Sequence, residues 1–182
     1  LLTGSVTEQE ANLLYIAVTT DTGCFQYANT NAATLRAAAR LLELGADNRK
    51  VSMEFFRKIS RARMALVGHI YSGMRFFRGG QIAIAVVTRA LIDALQATED
   101  DCDDIAGLPG RADGVVVSVT IRELTDGRSK ISVRTPPEVD SCAICAVYGG
   151  GGHKMASGCT LTCDPETAVE KILAAIDQVW PA

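Results

Sequence analysis

Gly149-Gly150-Gly151-Gly152-His153-Lys154-Met155-Ala156-Ser157-Gly158 is the most unusual stretch of the chain. Glycine loses more conformational freedom on ordering than any other residue, so a folded domain carries four in a row only where backbones approach closely or several residues need positive φ. Phosphate binding creates such a need. Without side chains, the amides of Gly150, Gly151 and Gly152 can form a concave array of donors around an anion, and His153 adds a directed hydrogen bond. A flexible linker is the competing explanation. Linkers of that kind carry serines and no anchoring imidazole, whereas His153 is one of only two histidines in the chain.

The segments around this loop read as short strands and helices. Upstream, Val115 to Leu124 and Lys130 to Arg134 flank Thr125-Asp126-Gly127-Arg128, a turn between two β-rich runs that predicts a hairpin. An earlier hairpin joins Met74–Phe77 to Gln81–Val87 through Arg78-Gly79-Gly80, and Thr88 then caps a helix to about Ala97. Downstream, Asp164-Pro165-Glu166 places a cap residue before Pro at the first helical position, opening a final helix with Ala168, Val169, Ile172, Leu173, Ile176 and Trp180 inward. Before Gly73 the chain is helical. Thr7-Glu8-Gln9-Glu10 is a capping box for a helix bearing Ala11, Leu14, Tyr15 and Val18 on one side and ending near Gly23, so that Asp21 sits at a turn. Thr30 is expected to cap a second helix through Leu44. Asp47 caps a third, whose stripe Val51, Phe55, Ile59, Ala62, Leu66 and Ile70 predicts one continuous connector, with a domain boundary near Gly73.

Composition narrows the class. The 182 residues are 48% hydrophobic and 21% charged, enough for one large or two small domains with a buried core. A net charge of −3 excludes a broad basic surface for long nucleic acid, so a nucleotide partner is short. No apolar run approaches the roughly 18 residues of a membrane helix, and Leu1-Leu2-Thr3-Gly4 has no signal-peptide pattern. Six cysteines fit a reduced, cytoplasmic chain better than a disulfide scaffold. Cys142, Cys145, Cys159 and Cys163 stand at spacings a structural zinc could use, but their apolar neighbours favour thiols packed as small hydrophobes. Asp100, Asp101, Asp103 and Asp104 read as helix-start acids; the Gly and closing Glu of a calcium loop are missing.

Gly149–Gly158 resembles the GGGH-x-x-A-x-G motif of the DHH-associated domain, the C-terminal lobe of the DHH (Asp-His-His) phosphoesterases. Lys130-Ile131-Ser132-Val133-Arg134-Thr135 is similar to that family's S-x-R-S segment, and Thr20-Asp21-Thr22-Gly23-Cys24-Phe25 to its last metal motif, T-D-T-G-x-F. The likeness is greatest to the RecJ-like, nanoRNase and oligoribonuclease group. It implies an α/β chain in three parts: the end of a DHH catalytic lobe over residues 1–48, a linker helix over 49–73, and a mixed α/β substrate-binding domain over 74–182. It also implies a manganese ligand at Asp21 and phosphate contacts from Arg134, Gly150, Gly151, Gly152 and His153. Ser157 stands where the family has Ala and Thr135 where it has Ser, both mild departures; Lys154 either adds charge to the loop or is a solvated lysine.

The implied activity is manganese-dependent hydrolysis of short oligonucleotides, 3'-phosphoadenosine 5'-phosphate or cyclic dinucleotides. The Asp-His-His triplet is absent, since neither His69 nor His153 follows an aspartate. A two-metal centre needs more ligands than Asp21, so these residues are expected to be the C-terminal part of a longer enzyme, binding nucleotide without hydrolysing it. The expected partner is a short oligonucleotide or nucleotide, with no membrane and with a homodimer left open. The second reading is a non-catalytic nucleic-acid-binding module of the type that accompanies tRNA-editing domains, which the T-D-T-G-x-F stretch argues against. A third, association through the Val51–Ile70 stripe, leaves the glycine loop without a purpose.

Overall fold

The computed structural model describes residues 6–181 and divides between Ile59 and Ser60 into two compact units. The reading of Leu1 to Gly4 lies outside the described residues.

The first unit is helical. Thr7 caps α1 (Glu8–Asp21) in the expected box: its Oγ1 accepts from the Glu10 amide, and the Glu10 carboxylate accepts from the Thr7 amide. The second cap is Asn31, one residue beyond the expected Thr30. The extended backbone of Asn31 brings Oδ1 to the amides of Ala33 and Thr34 at the start of α2 (Ala32–Glu43). Asp47 caps α3 (Asn48–Ser52) as expected. A small core holds the helices together through Ala11, Tyr15, Ala38, Leu41, Ala46 and Val51.

The continuous connector does not form. After α3 the chain widens into one π turn, Met53–Arg57, and leaves helical geometry at Lys58, whose ψ is 123°. Ser60 then caps a separate helix, α4 (Arg61–Gly73), its hydroxyl accepting from the Arg63 amide. The expected stripe is therefore split: Leu66 and Ile70 are buried, Phe55 and Ile59 exposed. Because α4 shares a core with Ala85 and Val87, it belongs to the sheet unit, and the division falls earlier than the expected boundary at Gly73.

The second unit is a mixed α/β layer. Its strands are β1 (Arg75–Phe77), β2 (Ile82–Val87), β3 (Val117–Glu123), β4 (Ser129–Arg134), β5 (Gly151–His153) and β6 (Ala156–Leu161), in the order β1-β2-β3-β4-β6-β5. Only β2 and β3 run parallel, joined by a crossover that contains α5 (Arg89–Ala94); both expected hairpins are present. Period-2 alternation assigns each strand two faces. Ile82, Ile84, Val117, Val119, Ile121, Ile131, Val133 and Cys159 form one face, beneath α6 (Ser141–Ala146) and α7 (Pro165–Val179) with its buried Ala168, Ile172 and Ile176. On the opposite face α4, α5 and the turns at Cys102, Ile105 and Leu108 cover Ala85 and Val87. The same face of β4 and β6 carries half-buried or exposed residues instead: Lys130, Ser132, Arg134, Ala156, Gly158 and Thr160. No helix among the described residues is long and apolar enough to cross a membrane.

Candidate phosphate-binding site

The glycine run is a strand pairing with β6 rather than an open loop. Gly151, Gly152 and His153 stand opposite Gly158, Ser157 and Ala156. At Gly150 an added Cβ would lie 2.3 Å from the Gly158 carbonyl oxygen and 2.5 Å from the Cys159 Cβ; at Gly152, where φ is +145°, it would lie 2.6 Å from the Ala156 carbonyl oxygen. Close backbone approach therefore accounts for two of the glycines. The Gly150 amide donates to the Cys145 carbonyl at 3.0 Å and the Gly149 amide to that of Ala146, which removes Gly150 from the expected array of free donors. Gly151 has open space around it.

Register places the two side chains expected to contact phosphate in one row across the sheet. Arg134 on β4 pairs with Ala156 on β6, and Ala156 pairs with His153 on β5. Directly opposed residues project to the same face, so Arg134 and His153 flank Ala156 on the open side, two strand spacings or about 10 Å apart. The methyl of Ala156 leaves the space between them clear. Arg134 Nη1 donates to the Val133 carbonyl at 3.0 Å, which anchors the guanidinium while leaving most of its five donors for a ligand. The tip of the hairpin is held from behind: the Ser141 amide donates to the Lys154 carbonyl at 2.8 Å, its hydroxyl to the His153 carbonyl at 3.2 Å, and the Thr135 amide to the Met155 carbonyl at 3.1 Å. The imidazole of His153 and the side chain of Lys154 stay exposed.

Beneath the hairpin, Cys145 of α6 and Cys159 of β6 are buried side by side, with the Ser157 hydroxyl 3.1 Å from the Cys145 sulfur. The contact with Cys159 holds the Cys145 thiol below its ordinary range, helped by Ser157 and the Arg134 charge against the opposing effect of burial; the same contact pushes Cys159 up. Cys142 and Cys163 are half-buried.

Asp21 lies in the first unit at the end of α1. The Asn29 amide group donates to its carboxylate at 3.0 Å and to its carbonyl at 3.1 Å. Gly23, Cys24 and Phe25 follow with three consecutive positive φ values, a costly conformation for the two that are not glycine. It is held by the buried Thr22, whose hydroxyl accepts from the Phe25 amide, and by the bond from the Cys24 amide to the Thr19 carbonyl. A lone carboxylate does not make a manganese centre, and among the described residues no group of three or more His, Cys, Asp or Glu gathers to hold a metal. The expected role of Asp21 thus requires ligands from elsewhere.

A pocket beside Arg134 was not anticipated. It occupies about 200 Å³ and includes Thr120, Arg122, Lys130 and Ser132 of the sheet, with Asp103 and Asp104 on its other wall. The alternation Lys130, Ser132, Arg134 was a usable signal. Of the two residues that brace the hairpin, Thr135 is marked in the sequence by the segment similar to S-x-R-S, whereas Ser141 has no mark there.

The second unit is a mixed six-stranded sheet whose glycine hairpin sets an arginine and a histidine on one open face. The DHHA1 domain model matches residues 79–180, and the chain belongs to this family. It is similar to the bifunctional oligoribonuclease and PAP phosphatase NrnA of Thermus thermophilus, 36% identical over 172 residues, which cover 93% of this chain and 51% of that protein. The NrnA of Mycoplasma genitalium is 32% identical over 152 residues, 84% of this chain and 46% of that protein. Among solved structures, an exopolyphosphatase-related protein from Bacteroides fragilis superposes with a TM-score of 0.85 at 25% identity, over 94% of this chain and 51% of that one. The chain spans about half the length of the curated relatives it matches.

Proposed function

We propose that this chain is the substrate-holding part of a manganese-dependent phosphoesterase that acts on short oligonucleotides, 3'-phosphoadenosine 5'-phosphate or cyclic dinucleotides in a reducing, cytoplasmic setting. The observation that carries this reading is the row Arg134–Ala156–His153. A phosphate over Ala156 can accept from the planar guanidinium fork on one side and the imidazole on the other, and the exposed Gly151 lets it approach the strand backbone. Family membership and the phosphatase and oligoribonuclease names of the relatives support the same class of substrate. In this reading the residues bind and orient. Holding a scissile phosphate in a fixed geometry contributes several kcal/mol to a reaction carried out by other groups. Asp21 is proposed as one ligand of a manganese centre completed by a further catalytic lobe.

Calorimetric titration of the 182-residue chain with adenosine 3',5'-bisphosphate tests the reading. Arg134→Ala and His153→Ala should each weaken binding about tenfold or more, the effect of one lost charge-assisted hydrogen bond. Manganese should support no turnover by this chain alone. Unchanged affinity in both variants, or turnover that survives Asp21→Ala, would sink it.

A further inference from the structure

Along β4, Lys130, Ser132 and Arg134 alternate onto the open face of the sheet, and the register extends this line sideways. Lys130 stands directly opposite Arg122 on β3 and Thr160 on β6; Ser132 stands opposite Thr120 and Gly158. Two cations facing each other across a ladder destabilise a sheet unless an anion lies between or beside them. Arg122 has such an anion in Glu99, at 2.7 Å. Lys130 is exposed and makes no ion pair among the described residues. The floor between Lys130 and Arg134 is made of short side chains, Ser132, Gly158 and Ala156, so a chain of sugars can lie close to the strands. Four residue steps along the strand put the two cationic Cα atoms about 13 Å apart, so Lys130 and Arg134 serve different phosphates. Asp103 and Asp104 line the same pocket from the crossover between β2 and β3, so the cations of the pocket lie on its sheet side.

We propose that Lys130, seconded by Arg122, is a second phosphate subsite that holds a more distant phosphate of the same nucleic-acid strand whose terminal phosphate sits between Arg134 and His153. The inference rests on the proposed function and sharpens it: the preferred ligand is an oligonucleotide of several residues rather than a nucleoside bisphosphate. The modest charge of the track fits a short strand, in keeping with the net charge of −3.

Fluorescence anisotropy with the whole 182-residue chain tests it, using labelled oligoadenylates from dinucleotide to pentanucleotide and unlabelled adenosine 3',5'-bisphosphate as competitor. For the unaltered chain, affinity should rise with length. Lys130→Ala should weaken the pentanucleotide about threefold or more, the scale of an exposed ion pair, and Lys130→Glu further. Both should leave competition by the bisphosphate unchanged, and the salt slope for the pentanucleotide should fall by roughly 0.7, as for one phosphate lost from a single strand. Length-independent affinity with intact bisphosphate binding overturns the subsite and spares the underlying reading. Equal losses for both ligands in Lys130→Glu also overturn it. Failure of the unaltered chain to bind the bisphosphate overturns both. Because Lys130 is exposed on its strand, circular dichroism of the two variants should match the parent.

Discussion

A single methyl group distinguishes the glycines of the hairpin from one another. At Gly150 the new carbon meets a backbone carbonyl and the main chain of Cys159, neither of which can rotate away, while at Gly151 it meets nothing within 4 Å. Gly150→Ala should therefore lower stability by about 1–3 kcal/mol, the usual cost of overpacking. Gly151→Ala should stay within about 0.5 kcal/mol of the parent, as surface changes do. Urea unfolding followed by circular dichroism separates the two, and equal effects would contradict the strand pairing of the glycine run. The sequence identified this stretch as special but could not divide its glycines between ligand and fold. That division depends on β6 lying against the run, a contact fixed by the register of the hairpin and not by residue type.

At the scale of elements, the legible features were those whose partners lie within a few residues. The Thr7 and Glu10 box, the Asp47 cap and the Asp164-Pro165 start are all present because each bond closes over three residues or fewer. Asn31 displaced Thr30 because two adjacent residues could each cap, and only backbone geometry chooses between them. The connector was misread for a different reason. Its apolar spacing runs unbroken from Val51 to Ile70, but Ser60 has distant partners that spacing cannot reveal: its hydroxyl binds the Asp101 carboxylate, which also accepts from the Thr98 amide at 2.8 Å and hydroxyl at 2.9 Å. Arg63 adds a bond to the Asp101 carbonyl at 3.0 Å. The acidic run thus clamps the start of α4, with Asp101 as the far member of a box with Thr98. The Ser60 and Thr98 bonds hold the Asp101 carboxyl below its ordinary range. For a depressed carboxylate, the stabilisation is complete above the unfolded value of about 4 and disappears as pH falls through the lower folded value. Asp101→Asn should then destabilise the chain at neutral pH, and the gap from the parent should close in acid. Urea midpoints at about pH 7 and pH 3 measure it; a gap that stays constant with pH would assign the effect to shape rather than charge.

For the molecule as a whole, the hydrophobic clusters follow the division at Ile59 and Ser60. The two larger ones, on either side of the sheet, draw every buried member from the second unit, and the smallest draws all of its own from the first. Ser60, Arg63 and their partners at residues 98–103 all stay with the sheet, so a cut before Ser60 severs none of these bonds. Residues 60–182 should accordingly fold alone and unfold in one cooperative transition. They should bind adenosine 3',5'-bisphosphate as the whole chain does, since Arg134, Ala156 and His153 lie on three strands of that unit. The first unit should not match this. Among the described residues its buried core has six members, three of them alanine, while Leu13, Leu35 and Phe55 are half or more exposed, and a chain near 60 residues is marginal even with a fuller core. Residues 1–59 alone should show partial helicity and a broad, weakly cooperative melt. Circular dichroism of both pieces decides the matter: loss of cooperativity in residues 60–182, or a sharp transition in residues 1–59, would show that the stability of the chain is not apportioned as its buried clusters are.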